Sequence, residues 1–266
     1  MSKSLEERLQ DAKITLDKIG GAMTRHPGRL PARVETQFVG LAEFASQVEH
    51  WKQMISAREA ARSSLADLER WADGNDDVPY GRIKAKFQTV RLLGVQAYLA
   101  AQWALADRVV GMAGQVLCIR NTLQDPKSPP QLVSHVVGGK GPESKIAAIV
   151  FESLRYSFGW PIAISYALRN HFLHDGAGGD FFEGPTAASA FRISTEGWKR
   201  VTDRVTGSNV DSTHSRLGGA WTPSAGDDLR RILDACAPEI DEALGILVGS
   251  ACQMAVAHVG FMLGED

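Results

Sequence analysis

Arg169-Asn170-His171-Phe172-Leu173-His174 brings an arginine, a polar amide and a histidine five residues on into one short stretch. Those residue types suit cleavage of a phosphodiester. A guanidinium can hold a phosphate oxygen and take up the charge that develops in the transition state. An imidazole can pass a proton near neutral pH. The helical run Trp160–Leu168 precedes the stretch and the turn Asp175-Gly176-Ala177-Gly178-Gly179 follows it, so the group falls where a helix ends.

An arginine and a histidine at this spacing also arise by chance in a chain with 29 basic residues and 7 histidines. Three details set this pair apart: Asn170 follows Arg169, an apolar helix leads in, and glycines begin just after His174. The competing structural reading pairs Arg169 with a carboxylate of a neighbouring helix. It leaves Asn170 and His174 as polar helix-end residues, the histidine bonding terminal carbonyls. On an ideal helix Asn170 and His174 stack on one face. Arg169 and His174 lie about 140° apart at roughly 100° per residue. A second copy of the motif, or a helix that ends near His174, would bring both to one phosphate.

Leu168-Arg169-Asn170-His171-Phe172-Leu173-His174-Asp175-Gly176 resembles the signature of the HEPN (higher eukaryotes and prokaryotes nucleotide-binding) superfamily. Its members are four-helix bundles with an arginine, a polar residue, three more residues and a histidine. The match spans about nine residues, and elsewhere it is architectural. The resemblance implies a metal-independent RNA endonuclease, acting as a toxin or antiviral defence factor, in which two protomers form a shared cleft. It would make Arg169 the phosphate stabiliser, His174 the proton-transfer group during attack by the 2′-hydroxyl, and Asn170 an orienting residue. It implies RNA as substrate, a homodimer, and a regulatory or antitoxin protein as partner. No cofactor is expected. The alternative is a helical interaction or scaffold protein with the same fold and no chemistry.

Other constellations are weaker. His171 and His174 share a helix face and could offer two nitrogens to a metal. Glu49, His50 and His258 are the other candidate ligands, but nothing in the sequence gathers them, and no metal is expected. Gly138-Gly139-Lys140-Gly141-Pro142-Glu143-Ser144-Lys145 lacks phosphate-loop spacing and a preceding strand. Arg192, Lys199, Arg200 and Arg204, with Trp198 among them, read either as a solvated helix face or as an RNA-binding rim. In the second reading cations meet phosphates and Trp198 stacks on a base.

The elements that must carry these residues are helical. Leu5, Leu9, Ile14, Leu16 and Ile19 predict a first helix ended by Gly20-Gly21. A second helix runs from about Pro31 to Trp71, with a break at Asp73–Pro79, and a third from about Arg82 to Thr122. Gln124–Pro142 reads as loop, and Glu143–His174 as the motif-bearing helical region. Ala190–Ile193 reads as a short strand or extended lead-in, and Ser194 or Thr195 caps a helix through about Val205. Thr206–Gly226 reads as loop and Asp227–Leu263 as a final helix with a kink or boundary at Pro238. The expected fold is all-α: a HEPN-like four-helix bundle over 31–266, a helical extension over 1–30, and a short helical or extended insertion after the motif.

A chain of 266 residues with 44% hydrophobic and 23% charged residues buries a sizeable core. A net charge of -2 counts against a global nucleic-acid-binding field and leaves room for a local basic cleft. Cys118, Cys236 and Cys252 lie far apart in apolar runs, as small buried hydrophobes in a reducing compartment do. The first residues lack an apolar signal region, so a cytoplasmic location is expected. Ala243–Leu263 carries no Asp, Glu, Lys or Arg, and Gly245 and Gly249 have GxxxG spacing. Gln253 and His258 interrupt this segment and acidic residues flank it, which favours a buried helix over a membrane span.

Overall fold

The computed structural model describes residues 3–24, 32–69, 77–116, 160–175, 180–184, 186, 188–207 and 224–263. Among them the chain is predominantly helical. In order come α1 (Leu5–Thr24), α2 (Ala32–Glu69), β1 (Asp77–Tyr80), β2 (Ile83–Lys86) and α3 (Phe87–Val116). Then follow α4 (Trp160–Asn170), a π-helical turn (His171–Asp175), α5 (Thr195–Gly207) and α6 (Leu229–Leu263). The chain divides into two compact units. The first takes Met1–Gln53, Leu105–Ser157 and Ile240–Asp266; the second takes Met54–Ala104 and Phe158–Glu239.

In the first unit Ser4 and Glu7 form a reciprocal cap for α1. The Glu7 amide donates to Ser4 Oγ at 3.2 Å, and the Ser4 amide donates to Glu7 Oε2 at 2.7 Å. Leu5, Leu9, Ala12, Leu16 and Ile19 form the buried stripe of this helix. It runs on through Gly20-Gly21 to Thr24 instead of ending there. Each glycine costs a helix about 1 kcal/mol, less than the burial of Leu16 and Ile19 contributes at about 1.5–3 kcal/mol per side chain. Arg8 donates twice to Glu242, at 2.8 and 2.9 Å, and its stem fills the space a side chain at Gly245 would occupy. Ala243, Leu244, Leu247, Val248 and Cys252 are buried, and among the described residues no helix is long and apolar enough to cross a membrane.

In the second unit, β1 and β2 stand where the sequence reads as a break and the start of the third helix. They pair antiparallel from Asp77↔Lys86 to Tyr80↔Ile83 around a two-residue loop. Gly81 takes φ 62° there, the left-handed value such loops need at their first position. Pro79 is tolerated because both strands of a two-stranded sheet are edges. α3 therefore starts at Phe87, not Arg82. Gly94 lies under Leu65 with no room for a β-carbon, which brings α3 close to α2. Tyr98, Leu99 and Trp103 are buried as helical spacing predicts, and Trp103 Nε1 donates to Ser165 Oγ of α4 at 3.1 Å. Pro238 sits exposed inside α6, which continues past it. Cys118, Gln124–Pro142, the Gly138–Lys145 stretch, Arg155 and the His258 side chain lie outside the described residues.

Candidate active site

α4 delivers the motif. Ile164, Ala167 and Leu168 are buried, so Arg169 and Asn170 emerge at its end, both part-exposed. Arg169 Nη1 donates to Asn170 Oδ1 at 2.9 Å, and its guanidinium carbon lies 5.9 Å from the Tyr166 ring centroid. Asn170 thus meets the arginine itself. At His171 the backbone widens from α to π and stays so through Asp175. A π turn bonds each residue to the fifth along, so each step falls from about 100° to roughly 80–85°. On those step angles Arg169 and His174 close from about 140° apart to about 70°. Arg169 and Asn170 are part-exposed and His174 is exposed.

The other side of the turn is packed. His171 is 1% exposed and stacks on Phe181, with ring centroids 4.8 Å apart and planes 24° apart. Phe172 meets Phe181 edge-on at 4.8 Å, Phe181 meets Phe182 at 5.1 Å, and Phe182 meets Phe191 at 6.2 Å. Such pairs add about 0.5–1.5 kcal/mol each beyond burial. Phe181 and Phe182 lie in chain that the periodicity leaves unassigned, whereas Phe172 belongs to the expected helical region and Phe191 to the expected extended lead-in. Gly197 in the first turn of α5 is tight against Phe181: a β-carbon there would overlap the Phe181 carbonyl oxygen.

Two residues the sequence reading passed over hold this arrangement. Gln96 of α3 donates from Nε2 to the Phe172 carbonyl at 2.7 Å, tying the π turn's backbone to α3. Buried Arg91, a turn earlier, donates to the carbonyls of Gly184, at 3.0 Å, and Ala190. Its guanidinium carbon sits 4.2 Å from the Phe182 centroid, and burial pulls its pKa down to about 10. Arg91 sits one helical turn after Phe87, so within α3 it reads as a helix residue and not as a clamp. The signal that marks it is its position on the buried face of α3 beside Val90 and Val95.

α5 packs against α4 and carries most of the basic rim. Ser194 caps it: the Gly197 amide donates to Ser194 Oγ at 2.9 Å, and that hydroxyl donates to the Asp180 carbonyl at 2.5 Å. Arg192 is exposed on an extended lead-in, its backbone bridging to Asp228. Lys199 is exposed, Trp198 is half-buried, and Arg200 is paired with Asp180 and, at 3.5 Å, with Glu196. The Arg200 guanidinium holds the Asp180 carboxyl below the usual carboxylate range. Burial alone would raise Asp228, but bonds from the Arg230 side chain and backbone outweigh it and hold the carboxyl low.

His50 is exposed on α2 and His171 is committed to the aromatic stack. Among the described residues no three metal-ligating side chains converge. Cys236 and Cys252 are buried free thiols; burial pushes Cys252 up to about 12. No family model, curated protein or solved structure matches the chain.

Proposed function

We propose that this protein is a metal-independent RNA endonuclease of HEPN type, built as a helical bundle. In this reading two copies of the motif share one cleft, and the protein serves as a toxin or defence factor under a partner's control. The π-helical turn carries the reading, because it draws Arg169 and His174 toward one side as an in-line phosphodiester cleavage requires. Arg169, held by Asn170, stabilises the phosphate. His174 takes the 2′-hydroxyl proton while the 2′-oxygen bonds to phosphorus. The bond to the 5′-oxygen breaks and that oxygen takes a proton from solvent water, giving a 2′,3′-cyclic phosphate and a 5′-hydroxyl, while His174 returns its proton to solvent. The contact between Arg169 and Asn170 favours a second reading, a non-catalytic scaffold in which the motif only closes a helix end.

The test is cleavage of RNA by the purified protein in EDTA, beside Arg169→Ala and His174→Ala. Products with 2′,3′-cyclic phosphate ends from the wild type alone support the nuclease. Cleavage surviving both substitutions removes the motif from the chemistry. Three folded, dimeric and inert proteins favour the scaffold.

A further inference from the structure

The hairpin Asp77–Lys86 is built asymmetrically. Its register puts Val78, Ala85, Tyr80 and Ile83 on one face, and Asp77, Pro79, Lys84 and Lys86 on the other. At the base Val78 is 1% exposed, whereas at the tip Tyr80 is 49% and Ile83 64% exposed. The apolar face is thus anchored at one end and bare at the other. The base is further fixed by Lys86, paired with Asp77 at 2.8 Å, and by buried Phe87 immediately after it. At the tip the charges are one-sided. Arg82 stands in the loop and Lys84 beside it, both exposed and neither with an ion-pair partner among the described residues.

A cross-strand tyrosine–isoleucine pair steadies a hairpin by roughly 0.2–1 kcal/mol, which accounts for the pair but not for its charged surroundings. An aromatic ring bare on one face, with an arginine in the loop and a lysine on the opposite face, is suited to gripping a single nucleic-acid strand that bends over the tip, cations on phosphates and a base on the ring. We propose that this hairpin is an RNA-holding element, with Tyr80 as stacking platform and Arg82 and Lys84 as phosphate contacts. The proposal rests on the reading that the substrate is RNA, and it concerns binding, not cleavage. It supplies the local basic surface that a net charge of -2 does not provide globally.

The experiment measures fluorescence anisotropy of a labelled single-stranded RNA dodecamer on full-length His174→Ala protein. Tyr80→Ala, and separately Arg82→Ala with Lys84→Ala, are then added to it. Tyr80→Ala is expected to weaken binding about 5- to 150-fold, the loss of one base stack. The double substitution is expected to reduce the slope of log affinity against log salt by about 1.4, or 0.7 per phosphate contact. Unchanged thermal melts show that these exposed substitutions leave the fold intact. Tip variants that bind like their parent, or a parent that binds no RNA, overturn the proposal. So does a loss of self-association on sedimentation without a loss of RNA affinity, which would make the tip a contact between copies. Cleavage by the His174 protein tests the other reading separately. Tip-dependent binding without wild-type cleavage keeps the hairpin and removes the nuclease; cleavage with tip-independent binding does the reverse.

Discussion

His171 and His174 are the same residue three positions apart on one turn, and their surroundings are opposite. His171 is enclosed by Phe172 and Phe181 and belongs to the core. His174 is exposed to solvent, and Arg169 and Asn170 are part-exposed. The motif is therefore two half-turns with different duties. One half fixes the turn against α3 and the phenylalanine cluster, and the other presents groups to whatever approaches.

Separating the two halves by mutation is the strongest way to break the comparison. Under the proposed chemistry His174→Ala lowers the cleavage rate by about 10²–10⁴-fold and leaves the melting temperature unchanged. His171→Phe keeps a stacking ring and costs less than about 1.5 kcal/mol in urea unfolding, with cleavage retained. Equal rate losses in the two variants would erase the distinction. Phe181→Ala attacks the packed half alone: unfolding stability should drop by about 3–5 kcal/mol, since Phe181 is fully buried and touches three aromatic neighbours.

How much of this was legible in the sequence depends on the length scale of the signal. The helices α1, α2 and α3, the cap at Ser194 and the final helix were legible, because each rests on periodicity or on a capping side chain, although Ile14 and Leu93 of the expected stripes are exposed. The hairpin was not: Pro79 and Gly81 look like breakers until burial of Val78 and a left-handed glycine turn them into strand and loop. The π turn is five residues long, too short for any period to declare itself. Arg91 and Gln96 were hidden because their partners are backbone carbonyls of distant residues, which carry no side-chain identity.

Smaller effects sharpen the picture. Gly197→Ala forces a methyl group against the Phe181 carbonyl, and destabilisation of about 1–3 kcal/mol is expected by chemical denaturation. A stability close to wild type would mean that α5 can slide without disturbing the phenylalanines. The smallest effect is acid sensitivity. Asp228 is held below its ordinary value of 3.8, so its contribution is fully present above that pH. It is lost as pH falls through the lower folded-state value. Asp228→Asn should therefore flatten the fall in melting temperature below pH 3.8; a parallel fall in both proteins would assign acid loss to other carboxylates.

The widened turn at His171–Asp175 has a genetic consequence as well as a geometric one. A circuit of π-helix takes up one more residue than a circuit of α-helix, so the phase of everything after it is written in a count and not in an identity. Point substitutions at half-exposed Leu173 leave that count alone. Deleting Leu173 lets the backbone close as ordinary α-helix and moves His174 one place back. It also pulls the following chain toward α4 by one residue, away from the register in which Phe181 meets His171. This segment should therefore tolerate many amino-acid exchanges and few changes of length.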